Sequence, residues 1–368
     1  MKLKDVCTVF IDGDWIESKD QSEEGIRLIQ TGNIGEGIYL EKEIRAKYIS
    51  EDTFARLKCT EIFPGDILVS RLPEPIGRAC IIPEKSERMI TAVDCTICRP
   101  NEDIVCKEYL CYFMRSKVYY TRLLSKVTGT TRKRISRKNL GNIELVVPHR
   151  EEQRMVVKQL DSLMKLIDFQ NKKLQELDRL IKARFVEMFS DPVANDMGWD
   201  TLPLENVCKA IVDCPHSTPS YTNEDTGFMC IRTSIVKKNK ILWDDIEYIS
   251  EDEFAKRIQR KKPEVGDIVY TREGAILGIA AIIDRDCNVA LGQRSMLLSP
   301  DIDKCTSEFL CVAMNSDSFF DNALKGISGS ASPHINVGDI KAFRMIMPPI
   351  ELQNQFADFV HQVTKSKF

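Results

Sequence analysis

No apolar run in the chain approaches the ~18 residues that a membrane span requires, and the opening residues MKLKDVCTVF carry no signal-peptide pattern. A soluble protein of the cytoplasm is the expectation. Histidine is scarce, with only His149, His216, His334 and His361, and these do not cluster. There is no GxxxxGK[ST] phosphate loop, no HExxH and no GxSxG elbow. Their absence removes the best-marked routes to nucleotide hydrolysis, metalloprotease chemistry and acyl transfer. Gly32, Gly35 and Gly37 spell GxxGxG rather than the dinucleotide fingerprint GxGxxG, and are read as a turn between strands. The 13 cysteines, without a secretory signal, are read as reduced thiols. Cys95 and Cys98 form the one CxxC, without the second pair of ligands that zinc needs. A net charge of −3 argues against a protein whose whole surface coats nucleic acid.

Glycine and proline are also missing from residues 151–189. There Val156, Leu160, Leu163, Ile167, Gln170, Leu174, Leu177 and Ile181 alternate spacings of four and three. Such a heptad seam predicts a continuous helix, roughly 58 Å long at 1.5 Å per residue, with a narrow apolar stripe that needs a partner helix. Gln170 within the stripe would help fix register. The Ser190-Asp191-Pro192 segment is read as the stop of this helix.

What the sequence does contain is itself, twice. YISEDTFARLKCTEIFPGDILVSR (48–71) is answered by YISEDEFAKRIQRKKPEVGDIVYTR (248–272), and LKDVCTVFIDG by LENVCKAIVDC. Gly129, Ile135 and Pro148 find Gly329, Ile335 and Pro348 at a spacing of 200, and ELVVPHREEQ is answered by RMIMPPIELQ. A period this long is a duplicated domain rather than a solenoid, whose units recur every ~20–50 residues. Residues 14–26, 84–98 and 116–134 have little likeness to their counterparts, so a shared framework carries unlike surfaces.

Each copy mixes periods. RLIQTGNI, GDILVSRL and GRACIIPE read as strands, EDTFARLK and KEYLCYFMRSKVYYTRLL as helical, and Ser50 and Ser250 precede acidic first turns. The fold class is α/β (α+β). The expected boundaries are a first domain at 1–148, a central helix at 149–190, a second domain at 191–348 and a second helix at 349–368. The last, ELQNQFADFVHQVTKSKF, continues the apolar spacing with Phe356, Phe359, Val360 and Val363. It is the expected antiparallel partner of the central helix. It runs for 18 residues, where the first copy continues for about twenty more, so a truncation or completion by another chain is expected.

Between residues 117 and 143 stand eight basic residues and no acidic one, a candidate phosphate-binding surface that includes Lys126. Arg71 and Arg272 occupy matched positions after the GDIL and GDIV strands, and are candidates for a common phosphate contact. For base reading the unmatched residues are the candidates. They are Thr130, Thr131, Arg132, Lys133 and Arg134 against Ser330, Ser332 and His334, together with Gln293 and Arg294.

The ordered set of the GDIL/GDIV and GNI-type strand phrases and the Pro148-to-Gln153 and Pro348-to-Gln353 phrases, each opening a helix, resembles the specificity subunit of type I DNA restriction and modification systems. The resemblance covers essentially the whole chain. It implies two target recognition domains, each reading one half of a split, asymmetric site in double-stranded DNA, with the helices as spacer. It also implies a subunit without catalysis or a cofactor of its own. Two adenine methyltransferase subunits would bind S-adenosylmethionine, and motor and nuclease subunits would use ATP and magnesium. Two rival readings remain at this point: a fused enzyme with a weakly marked nuclease site, and a scaffold whose paired domains bind proteins.

Overall fold

A computed structural model describes residues 1–129, 133–325 and 333–367. The chain forms two compact units, Met1–Asp168 and Phe169–Phe368. Unit 1 contains β1 (Cys7–Asp12), β2 (Ile26–Ile29), β3 (Tyr48–Ile49), β4 (Glu61–Ile62), β5 (Ile67–Ser70), β6 (Ala79–Ile81), β7 (Met89–Thr91) and β8 (Cys95–Pro100). Helices α1 (Glu51–Leu57), α2 (Lys107–Phe113), α3 (Lys117–Leu124), α4 (Arg137–Gly141) and α5 (Arg150–Phe189) complete its order. Two four-stranded sheets result, β1-β8-β5-β6 and β3-β2-β7-β4, the second containing the parallel pair β2 and β7.

The GDIL phrase is strand β5 at the centre of the first sheet. Its four residues are all buried because both sheet faces are covered. Ile67 and Val69 pack with Cys98, Leu110 and Tyr119, while Leu68 packs with Cys80 and Ile97 on the other face. A strand covered on both sides reads as a continuous apolar run rather than an alternation.

Unit 2 repeats this plan. Its strands are β9 (Thr201–Pro203), β10 (Cys208–Asp213), β11 (Tyr221–Thr222), β12 (Met229–Ile231), β13 (Val236–Lys237), β14 (Lys240–Ile241), β15 (Glu247–Ile249), β16 (Ile268–Thr271), β17 (Ala280–Ile282), β18 (Val289–Leu291), β19 (Ser295–Pro300) and β20 (Arg344–Ile346). Its helices are α6 (Leu204–Val207), α7 (Glu251–Arg257), α8 (Ser307–Met314), α9 (Asp317–Leu324), α10 (Val337–Lys341) and α11 (Ile350–Lys365). The sheet β10-β19-β16-β17 matches β1-β8-β5-β6 strand for strand. Even an irregularity is copied: the register slips between Cys7 and Val9 against β8, and between Cys208 and Ala210 against β19.

Local signals explain most helix starts. Ser50 and Ser250 accept from the backbone N–H of Thr53 and Glu253, each at 3.2 Å, and cap α1 and α7. The helical spacing over residues 107–124 is corrected in one respect, since it forms two helices. Ser116 takes an extended backbone and accepts from Tyr119 N–H at 3.1 Å, which starts α3 afresh. Ser316 does the same for α9.

Helix α5 is continuous over 40 residues, and the division between the units falls inside it, between Asp168 and Phe169. Its first half therefore belongs to unit 1 and its second half to unit 2. In unit 1 its Asp161 accepts from the Tyr112 hydroxyl of α2 at 2.6 Å. In unit 2, Ile181, Phe185 and Phe189 enter the main core beside Phe309 and Phe356, and Leu177 packs against its rim. Contacts with α11 run in opposite senses along the two helices: Phe189 and Phe185 meet Phe356, Arg184 lies over Phe359, and Asp178 pairs with Lys367 at 2.5 Å. The earlier part of the expected seam is different. Val156, Leu163, Ile167, Gln170 and Leu174 are exposed and Leu160 is half-buried, and Met155, Leu166 and Phe169 add further exposed apolar surface.

Candidate nucleic-acid interface

In both units three segments meet at one end of the central strand. In unit 1 these are the residue after β5, the turn between β7 and β8, and the segment before α4. Arg71 donates its backbone N–H to the Asp94 carbonyl at 2.9 Å, and Ile135 donates to the Arg71 carbonyl at 3.3 Å. In unit 2, Arg272 donates to the Arg294 carbonyl at 3.1 Å, and Ile335 donates to the Arg272 carbonyl at 2.9 Å. The same backbone junction is thus built twice.

Beneath each junction a buried arginine meets a half-buried aspartate. Arg272 is 7% exposed and donates from Nε and an Nη to the two carboxylate oxygens of Asp213 at 3.0 and 3.3 Å. Arg71, 4% exposed, has Nε 3.4 Å from Asp12 Oδ1 and donates to the Val93 carbonyl. Burial pulls the Arg71 guanidinium below the ordinary arginine value, and the Asp12 charge opposes that pull. Both arginines, candidates for a common phosphate contact, are buried in the structure. Their guanidinium groups turn inward and hold the junction. The acids that pair them, Asp12 and Asp213, were visible as the matched aspartates of FIDG and IVDC, though their role was not.

Above the junction the two units part. In unit 1 the turn carries Asp94, whose Oδ1 lies 3.2 Å from an Nη of Arg134. In unit 2 the turn carries Gln293 and Arg294. The Thr218 hydroxyl donates to Gln293 Oε1 at 2.9 Å, and Arg294 Nε lies 4.0 Å from Glu273 Oε1. His334 is half-buried and bridges Glu273 through its backbone. Lys133 is exposed beside Arg134, while Lys126 is half-buried with its carbonyl accepting from Asn139. Thr130, Thr131, Arg132, Ser330 and Ser332 lie outside the described residues.

Two cations of the basic run, Arg137 and Lys138, line a shallow cleft in unit 1. Lys4, Phe10, Asp12, Arg71, Arg137 and Lys138 are among its lining, with Arg137 and Lys138 exposed at the start of α4. At the positions matching Arg137 and Lys138, unit 2 has Val337 and Gly338, so its counterpart surface lacks both charges.

Nucleophile and metal chemistry find no foothold at the CxxC. Cys98 lies in the core beneath one face of β8 and Cys95 in the core beneath the other, as positions three apart on a strand must. Burial pushes the Cys95 thiol up to about 12. Among the described residues no cluster of three His, Cys, Asp or Glu side chains is placed to hold a metal ion. No helix among them is long and apolar enough to cross a membrane.

The sequence pattern of one family, described as Type I restriction modification DNA specificity domain, matches residues 1–179 and again 197–368. The chain belongs to this family. Similar specificity-domain proteins include the type I restriction enzyme MjaVIII specificity subunit of Methanocaldococcus jannaschii, 24% identical over 68% of this chain and 61% of the relative. The EcoKI specificity subunit of Escherichia coli is 22% identical over 73% of this chain and 61% of the relative. The chain therefore spans about three fifths of the length of these relatives. Among solved structures, a chain from work on complex assembly and conformational transition of the type I R-M system matches all of this chain and 90% of itself, with a TM-score of 0.53 at 17% identity. A type I restriction-modification S subunit from M. genitalium matches with a TM-score of 0.51 at 12% identity, over all of this chain and 89% of its own. These likenesses show that the fold of a specificity-domain protein is shared.

Proposed function

We propose that this chain is the sequence-specific DNA-binding subunit of a type I restriction-modification complex, each unit reading one half of a bipartite, asymmetric site in double-stranded DNA. One observation carries the reading. The same junction is built twice on one framework, and the groups it exposes differ between the copies. An enzyme with a single active site has no use for that arrangement, whereas a reader of two unlike half-sites requires it. The basic cleft of unit 1 supplies phosphate contacts from Lys4, Arg137 and Lys138, and the groups on the junctions address bases. Helix α5 acts as the spacer that sets the unread gap.

On this reading the chain is not catalytic and binds no cofactor. Two adenine methyltransferase subunits carry S-adenosylmethionine, and motor and nuclease subunits carry ATP and magnesium, all in the cytoplasm. The exposed stripe of α5 at Leu163, Ile167 and Leu174 is the surface on which the methyltransferase packs. Changing Leu163 and Ile167 together to Glu is expected to abolish co-purification of the methyltransferase while leaving the urea midpoints of both units unchanged. Loss of folding, or retention of the partner, would reject this docking face.

Binding to duplex DNA by the chain with its methyltransferase is expected to weaken at least about tenfold between 50 and 200 mM salt, because several phosphates are neutralised. An affinity indifferent to salt would remove the DNA-reading function. It would favour the protein-binding scaffold instead.

A further inference from the structure

Each junction exposes one guanidinium held against one carboxylate, but the couple is assembled from different segments. In unit 1 the turn supplies the acid, Asp94, and the segment before α4 supplies Arg134. In unit 2 the turn supplies Arg294, and the second residue after β16 supplies the acid, Glu273. The charge at the matched turn position is reversed between the copies. Arg134 and Arg294 are about equally exposed, at 47% and 49%.

Folding alone gives little reason for these couples. Ion pairs this exposed add little to stability. Arg294 also sits at φ +72, in the left-handed region that costs a residue with a side chain free energy and that accumulates at functional positions. A cation fixed at the tip of a hydrogen-bonded turn, in a backbone conformation unfavourable to it, points to a ligand outside the protein.

We propose that Arg134 and Arg294 are the guanine-reading residues of their units, each placing two N–H donors on O6 and N7 of one guanine in the major groove. This rests on the reading of the two units as DNA readers. Guanidinium is planar and carries five donors, so a carboxylate can hold one edge while another edge faces a base. Asp94, 3.2 Å from an Nη of Arg134, and Glu273, 4.0 Å from Arg294 Nε, bias the direction of the fork before DNA arrives. Because Arg134 projects from the returning segment and Arg294 from the turn, the guanine falls at a different place relative to the shared framework in each unit. Two half-sites with different guanine positions follow from one fold.

The test uses the chain complexed with its methyltransferase. The motif is obtained by sequencing methylated adenines in DNA exposed to the complex, and duplexes with one base pair changed at a time are then assayed for methylation. Each half-site is expected to contain a G·C pair whose replacement lowers methylation about 5- to 150-fold. Arg294→Ala should remove that discrimination at one pair of one half only, and Arg134→Ala at one pair of the other. Asp94→Asn should weaken discrimination at the same pair as Arg134→Ala, and less severely. Arg294→Lys keeps the charge without the fork, so it should lose discrimination while the salt dependence stays as in the wild type. It also stands in if the alanine variant does not fold. Unchanged discrimination, uniform loss across both halves, or a half-site without a G·C pair would overturn the assignment while a split motif remained. A wild-type complex that methylates no split motif would overturn the DNA-reader reading, and this assignment with it.

Discussion

Replacing Asp213 with alanine is expected to lower the stability of unit 2 by about 3–5 kcal/mol, the cost of leaving a buried charge without its partner. The Arg272 side chain is 8% exposed, and Asp213 is its bidentate acceptor. Arginine does not escape by losing its proton, so the charge must either stay desolvated or drag its strand end outward. The backbone of Arg272 is tied to both Arg294 and Ile335, so movement there opens the whole junction. Trp243 is buried in unit 2 and donates to Asp284, which makes its fluorescence during urea unfolding the natural probe. An exposed pair such as Arg179 with Glu176, 72% and 66% exposed, should by contrast contribute at most about 1 kcal/mol. Asp12→Ala is expected to cost unit 1 less, because Arg71 also donates to the Val93 carbonyl. A loss below about 1 kcal/mol for Asp213→Ala would mean that water reaches Arg272 freely, and that the pair does not brace the junction.

That pair also shows where sequence reading stops. Arg71 and Arg272 stand at matched positions, and matching can mark a shared ligand contact. It marks a shared core contact equally well. The deciding fact is an aspartate 59 residues earlier in the chain, and its nearness depends on the strand order β1-β8-β5 and its copy in unit 2. The opposite case is the turn at Asp94 and Arg294. Unlike residues on a like framework were legible as candidates, and Arg294 was among them, but Asp94 gained meaning only when Arg134 was found beside it.

Features governed by near neighbours were readable. The serine caps, the long helix and the duplicated strands rest on hydrogen bonds and periodicities within a few residues. The apolar spacing runs on across the break at Ser116, where α2 has already ended at Phe113 and the serine caps the start of α3. The exposed stripe of α5 was likewise legible as a seam. Which part of it meets α11 was not, since that depends on where the two helices come together in unit 2.

Gln353→Leu is expected to cost unit 2 about 2–5 kcal/mol, because one buried amide group serves three backbone partners. Gln353 is fully buried. Its Oε1 accepts from Thr306 N–H at 3.1 Å, and its Nε2 donates to the carbonyls of Lys304 and Pro348 at 3.1 and 2.8 Å. Gln153 repeats the arrangement with Cys106, Ile104 and Pro148, each at 2.9 Å. The recurring phrase that ends each copy is therefore a clamp. Its glutamine joins the start of α5 or α11 to the start of α2 or α8, and its proline carbonyl closes the ring. Leucine fills the space but leaves one N–H and two carbonyls without partners in the dry interior. Gln353→Glu should also destabilise unit 2, because a carboxylate keeps the acceptor for Thr306 but has no N–H for the two carbonyls. Hydrogen exchange gives a local check, since the Thr306 amide should lose protection in both variants before the sheet amides of β16 do. If the Thr306 amide exchanges as in the wild type, the clamp does not hold the two helix starts together. The register of α11 against α5 must then come from the direct contacts between the two helices, those of Phe356, Phe359 and Lys367.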